Sequence, residues 1–173
     1  PDSRHLLSGS RDGTLRVWDI ASEQCIQVIQ GYATSIHEVD WSPDGARLVS
    51  ASSDRLVTFW DVETGQPLQS LQEHIGMVMG VGWSPNGRWI ASAETEHAIR
   101  LWDLTAGADF QLLRPAEPSG NYPFVVAWNP DGQHLASGSP RCGLIVWDVL
   151  TKEQRWIGQE LAIWFPYIAW SAD

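Results

Sequence analysis

Trp-Asp occurs four times in this chain, at Trp18-Asp19, Trp60-Asp61, Trp102-Asp103 and Trp147-Asp148, in steps of 42, 42 and 45 residues. Recurrence of a rare dipeptide at so regular a spacing marks one supersecondary unit used several times. A second ladder runs in phase with the first, at Trp41, Trp83, Trp128 and Trp170. Three of its members open turns: Trp41-Ser42-Pro43-Asp44-Gly45, Trp83-Ser84-Pro85-Asn86-Gly87 and Trp128-Asn129-Pro130-Asp131-Gly132. The last reads Trp170-Ser171-Ala172-Asp173. Two ladders explain why 11 Trp accompany only 4 Phe and 3 Tyr.

Within a unit the apolar period is two. Residues 36–41 alternate, Pro-Asp-Gly turns the chain, and residues 47–52 and 56–61 form second and third strands. Glu63-Thr64-Gly65 then leads into a fourth, Pro67 to Leu71. Alternation bounded by Gly, Pro, Asn and Asp predicts an antiparallel meander. No segment has a convincing helical period. One four-stranded sheet cannot bury both of its faces, so neighbouring units must stack.

The run Leu7-Ser8-Gly9-Ser10-Arg11-Asp12-Gly13-Thr14-Leu15-Arg16-Val17-Trp18-Asp19 resembles the signature of the WD40-repeat family, and the resemblance covers the whole chain. It implies an all-β β-propeller of four-stranded antiparallel blades, here four blade-equivalents, with the termini cut between first and second strands. It also implies an interaction scaffold without catalysis. Regular Pro-Asp-Gly-rich repeats resemble those of bacterial multi-repeat WD proteins, which implies the sensor or signalling part of a larger protein. The family commonly buries a polar tetrad in each blade: a loop His, a Ser or Thr, a turn Asp and the Trp. Ser8 and Trp18, Ser50 and Trp60, Ser92 and Trp102, and Ser137 and Trp147 match two of its places in every blade. The turn acid falls on Asp12, Asp54 and Glu96, with Arg141 in the last blade; the loop His falls only on His74. A polar set lacking members leaves the rest in need of partners, so the loops of the last blade are expected to be looser.

The blade units are placed at about 1–31 plus 162–173, 32–73, 74–117 and 118–161, in one propeller segment. The terminal strand, 164–170, is the one that residues 6–10 lack. Three arrangements are open: a closed four-bladed ring, two chains joined as an eight-bladed homodimer through their terminal strands, or a portion of a longer propeller. The opening Pro1-Asp2-Ser3, without an initiator Met, is expected to lie inside a longer protein.

A net charge of −10, with Lys152 the only lysine, repels phosphate backbones, so no nucleic-acid partner is expected. No apolar run approaches the ~20 residues of a membrane helix, so no membrane partner is expected either. Cys25 and Cys142 belong to no Cys/His cluster and are read as reduced, partly buried thiols, which favours a cytoplasmic setting. The five histidines, His5, His37, His74, His97 and His134, have no metal-ligand spacing, and there is neither a phosphate loop nor a nucleophile elbow. The Ser-Gly-Ser segments are strand and turn material. Asp19, Asp61, Asp103 and Asp148 are one structural position that accepts backbone bonds in the following turn. No catalytic residue, cofactor or metal is expected.

A binding rim is easier to argue. In this family the loops joining fourth to first strands and second to third strands gather at one end of the channel. The positions six and four residues before the first-strand tryptophan open towards that rim: Ser35 and His37, Met77 and Met79, Tyr122 and Phe124, Trp164 and Pro166. Arg11, Ser53, Thr95 and Pro140 face them. Aromatics and methionines there are typical interface anchors for a protein or peptide. The insertion at 114–121 falls beside them and is expected to be a recognition loop. Packing of these side chains beneath that loop is the rival reading. A purely structural role, with the blade faces as the important contacts, is the rival function.

Overall fold

The computed structural model describes residues 2–30, 34–96, 98–107, 109–114, 125–139, 143–158 and 167–171. Fifteen strands and no helix occur among them. The first sheet contains β1 (His5–Gly9), β2 (Thr14–Asp19) and β3 (Gln24–Gln30). The second contains β4 (Ile36–Trp41), β5 (Arg47–Ser52), β6 (Val57–Asp61) and β7 (Pro67–Leu71). The third contains β8 (Val78–Trp83), β9 (Trp89–Glu94), β10 (Ala98–Asp103) and β11 (Asp109–Leu113). The fourth contains β12 (Val125–Trp128), β13 (His134–Ser139), β14 (Gly143–Asp148) and β15 (Gln154–Gly158). Every sheet is an antiparallel meander, as the alternation predicts, and the fold is a β-propeller segment of four blades.

The Pro-Asp-Gly turns owe their shape to two devices. Gly45 lies in the left-handed region at φ 72°, and the Asp44 carboxylate accepts the Ala46 N–H at 3.0 Å. Ser42 closes the hairpin, its hydroxyl oxygen accepting the Arg47 N–H at 2.9 Å. Asn86 does the work of Asp44 one blade later, accepting the Arg88 N–H at 3.0 Å. The chain opens on the same turn: Asp2 accepts the Arg4 N–H at 2.9 Å, and Ser3 stands where glycine does elsewhere, at φ 56°.

Three apolar clusters join the sheets in series. Leu15, Val17 and Ile29 of the first meet Ile36, Leu48 and Trp60 of the second. Val49, Val57 and Phe59 of the second meet Val81, Trp83 and Trp102 of the third. Ala91, Ile99 and Leu101 of the third meet Val126, Leu135 and Trp147 of the fourth. The third sheet is therefore covered on both faces, and every residue of β9 and β10 is buried. The outer strands β3, β7 and β11 are mostly exposed. Cys25 lies on one of them as a free, exposed thiol, which corrects the expectation of a partly buried one. Cys142 lies outside the described residues, as do the loops of the last blade that were expected to be loose.

Inner strands approach closely. A Cβ on Gly82 would stand 3.2 Å from Trp128 Cδ1, and the Trp128 indole donates to the Gly82 carbonyl at 3.0 Å. Trp170 repeats this contact one step on, donating to the Ala127 carbonyl at 3.0 Å. Residues 167–171 thus rest on the fourth sheet where the inner strand of a following blade belongs.

Candidate functional site

Inside each blade the Trp of the Trp-Asp pair donates its indole N–H to the second-strand serine. Trp18–Ser8, Trp60–Ser50 and Trp102–Ser92 are 2.9 Å apart, and Trp147–Ser137 is 2.8 Å. Those hydroxyls are thereby committed to the blade interior. His74 extends the chain in the third blade, with Nε2 2.8 Å from Ser92 Oγ and its ring 5.3 Å from that of Trp102. Burial, and the neighbouring Arg100 charge, push the His74 pKa down to about 3, so the ring is neutral at physiological pH.

The turn acids Asp12 and Asp54 are used locally. Asp12 accepts the Thr14 N–H at 2.9 Å and Asp54 accepts the Leu56 N–H at 3.0 Å, each within its own turn. The carboxylate beneath the third blade's loop comes instead from Glu94, two residues before Glu96. Glu94 accepts the Ile75 N–H at 3.0 Å and pairs with Arg100 at 3.1 Å, both side chains almost fully buried. Arg100 also donates to the Glu73 carbonyl at 2.6 Å and stacks over Phe110 at 4.8 Å. A charge entering a core position that holds Thr58 in the second blade was the available signal for this pair.

The aspartates that follow the tryptophans cap the next turn. Asp19 accepts the Ser22 N–H, Asp61 the Thr64 N–H, Asp103 the Thr105 N–H and Asp148 the Thr151 N–H, at 2.7 to 2.9 Å. Arg4 and Arg88 add ion pairs to Asp19 and Asp103 at 2.7 and 2.6 Å. Hydrogen bonds from Ser22, with the Arg4 guanidinium, hold Asp19 at about 2.

A second feature escaped sequence reasoning. Glu38 and Asp40, alternate residues of β4, face the third blade and accept the Val81 and Trp83 N–H groups at 2.8 and 2.7 Å. Burial pushes Glu38 up to about 8 and raises Asp40 as well. The signal was positional: Gly80 and Gly82 hold the matching places in β8, where Trp128 lies against the backbone.

At the end of the sheets formed by the fourth-to-first and second-to-third loops, the predicted rim residues are brought together in part. His37 is exposed, with Nε2 2.7 Å from Ser53 Oγ. Ser35 donates to the Arg11 carbonyl at 3.4 Å, and Arg11 is exposed. Met77 is 44% exposed, its N–H donating to Thr95 Oγ1 at 3.1 Å, and Met79 is half-buried. A bulge at His37 and another at Met79 rotate these strands as they enter. Ile75, 68% exposed in the same loop, is an apolar contributor that the six-and-four rule misses. Tyr122, Phe124, Trp164, Pro166 and Pro140, with most of the 114–121 insertion, lie outside the described residues.

Among the described residues no three His, Cys, Asp or Glu side chains converge as a metal site, and no helix is long and apolar enough to cross a membrane. A family model described as "WD domain, G-beta repeat" matches residues 1–19, 23–61, 65–103 and 121–148. The nuclear distribution protein nudF of Emericella nidulans is 47% identical over 34 residues, 20% of this chain and 8% of that protein. Human WD repeat-containing protein 86 is 44% identical over 36 residues, 21% of this chain and 10% of that protein. The matches span about one repeat of much longer relatives.

Proposed function

Because the chain belongs to the WD40-repeat family, whose members generally mediate protein–protein interactions and are generally non-catalytic, we propose that it is a non-catalytic scaffold or sensor module binding a peptide or protein at the loop-bearing rim. The observation that carries the reading is the exposure of Met77 and Ile75, both apolar, at the same end of the sheets as the exposed polar His37 and Arg11. On repeat position alone, Tyr122, Phe124 and Trp164 are proposed as members of the same surface. Hydrogen bonds between the entering loop and the facing turn hold Ser35 and Met77 in place. Ser53 donates its N–H to the Ser35 carbonyl and Thr95 its N–H to the Met77 carbonyl, each at 3.0 Å. Partner capture by the immobilised chain tests the reading against two alanine sets. Substitution of Met77, Tyr122, Phe124 and Trp164 is expected to abolish capture of a defined partner, whereas substitution of Leu112 on the outer strand is expected to spare it. Equal capture by both variants refutes the rim.

A second reading, assembly of half-propellers into an eight-bladed homodimer, is favoured by one specific pair of observations. Among the described residues the first sheet has three strands, and on its open face Leu6 and Val28 are 53% and 49% exposed. Residues 167–171 meanwhile lie against the fourth sheet where an inner strand of a further blade would stand, Trp170 donating to the Ala127 carbonyl. A two-fold exchange of that strand would complete both first blades.

A further inference from the structure

Successive blades leave a cleft between them at the end opposite the rim, where the first-to-second and third-to-fourth strand turns lie. The repeat allows the clefts to be compared position by position. In the second cleft, Phe59 meets Trp83 edge-on at 5.4 Å, and the Arg47 guanidinium lies over the Trp83 ring at 5.1 Å. A cavity of about 230 Å³ remains. In the third, buried Trp89 takes the place of Arg47 and packs with Leu101 and Trp128. In the first cleft the same positions hold His5, Val17 and Trp41. His5 is drawn aside by Asp2, with Nδ1 2.6 Å from the carboxylate, and Val17 is too small to reach the tryptophan as Phe59 does. A cavity of about 540 Å³ is left, within the ~300–1,000 Å³ range of small-ligand pockets. Val17, Ile26, Val62 and Trp41 give it apolar walls, and Asp2 and Asp44 rim it.

Trp41 therefore keeps a half-buried ring on which, among the described residues, neither a ring nor a guanidinium is stacked. Its counterpart Trp83 carries the Arg47 guanidinium over its face and meets the Phe59 ring edge-on, so the second blade supplies from its own sequence what the first cleft lacks. We propose that the cleft between the first and second blades binds an arginine side chain of a partner peptide, with the Trp41 ring as platform and Asp2 and Asp44 as counter-charges. The guanidinium is the group that both stacks on an indole and pairs with carboxylates. Its aliphatic stem lies against Val17 and Ile26. Asp44 is held below the usual carboxylate range by the Ser42 hydroxyl and the Ala46 N–H, and these occupy only its Oδ1, leaving Oδ2 to the ligand. A net charge of −10 adds long-range attraction for a cationic segment.

The test titrates N-acetyl-arginine amide, N-acetyl-lysine amide and N-acetyl-leucine amide into the full chain. It follows the indole N–H resonance of Trp41, assigned with Trp41→Phe. The arginine probe is expected to shift that resonance saturably, with a Kd on the order of millimolar for so small a ligand, and the leucine probe to leave it in place. Val17→Phe installs the residue of the second blade and should abolish the shift by filling the cleft. Asp44→Asn retains the turn, as Asn86 demonstrates, and should weaken binding roughly two- to fivefold. No saturable shift, an equal response to the leucine probe, or undiminished binding by both variants would each overturn the proposal. Replacing the rim residues leaves this site intact, so its failure is separable from failure of the rim.

Discussion

Single side chains in this protein are best judged against their counterparts in the next repeat. Glu94 and Arg100 occupy places that Ser52 and Thr58 hold in the second blade, where no ion pair is needed. Removing one partner of a buried pair strands the other charge. Arg100→Ala is expected to cost about 3–5 kcal/mol in urea unfolding, whereas the double change Glu94→Ser with Arg100→Thr should recover most of that loss. A double variant as unstable as the single would show that the pair itself, and not relief of a stranded charge, sets the cost. Ser3 offers the opposite case. At φ 56° it takes a conformation that Gly45, Gly87 and Gly132 adopt freely, so Ser3→Gly should raise stability by up to ~1 kcal/mol, read as a higher unfolding midpoint. The serine–tryptophan bonds were legible through the family resemblance, whose Ser and Trp places recur in every repeat, and one register carries Ser8 to Trp18 and Ser137 to Trp147 alike. The Glu94–Arg100 pair was not, because it substitutes for the repeat's pattern.

At the level of strands, the stacking of inner edges decides what is tolerated. Gly82 lets Trp128 lie against β8, and a methyl group there would meet Cδ1 at 3.2 Å. Gly82→Ala should therefore cost about 1–3 kcal/mol, the range for overpacking. Loss of hydrogen-exchange protection at the Trp128 indole would locate the damage, and unchanged protection would remove this explanation. The interface between the second and third blades uses carboxylates in place of close approach. Glu38, raised from 4.5 to about 8, keeps its proton in the folded chain after the unfolded chain has released it. Its contribution is complete below about pH 4.5 and is lost as pH rises towards 8, a swing on the order of a few kcal/mol. Glu38→Gln should flatten that alkaline decline, measured by urea midpoints at about pH 6 and about pH 8.5. A decline equally steep in the variant would assign it elsewhere. On the acid side, Asp12 and Asp19, both held at about 2 by hydrogen bonds, withdraw their support only as pH falls from 3.8 towards 2. Strand limits in the second blade follow from alternation and Pro-Asp-Gly turns to within one residue, the third strand starting at Val57 instead of Leu56. Alternation marks which residues leave the sheet on the same side; it does not say whether a neighbour's backbone or a side chain waits there, which is why Glu38 and Asp40 escaped sequence reasoning.

For the whole molecule the governing fact is that a blade is stable only against its neighbours. Among the described residues the third sheet has two neighbours and buries Trp102 to 2% exposure; the first has one, and its matching Trp18 is only half-buried beside exposed Leu6 and Val28. Among the described residues that apolar face has no occupant. If the occupant is the end of a second copy, the contact is isologous and must break in both halves at once. Leu6→Glu with Val28→Glu places charges on the apolar contact while leaving the opposite face of β1 and β2, with Leu15 and Val17, packed on the second blade. Sedimentation is expected to give twice the 19.3 kDa of one chain for the parent and a single 19.3 kDa species for the double variant. A parent already sedimenting as one chain would exclude the homodimer and leave the face to a different neighbour. Because the rim and the Trp41 cleft lie at the two ends of the sheets and this face lies at neither, peptide capture by the monomeric variant then separates assembly from recognition: a rim that works in the single chain needs no second copy.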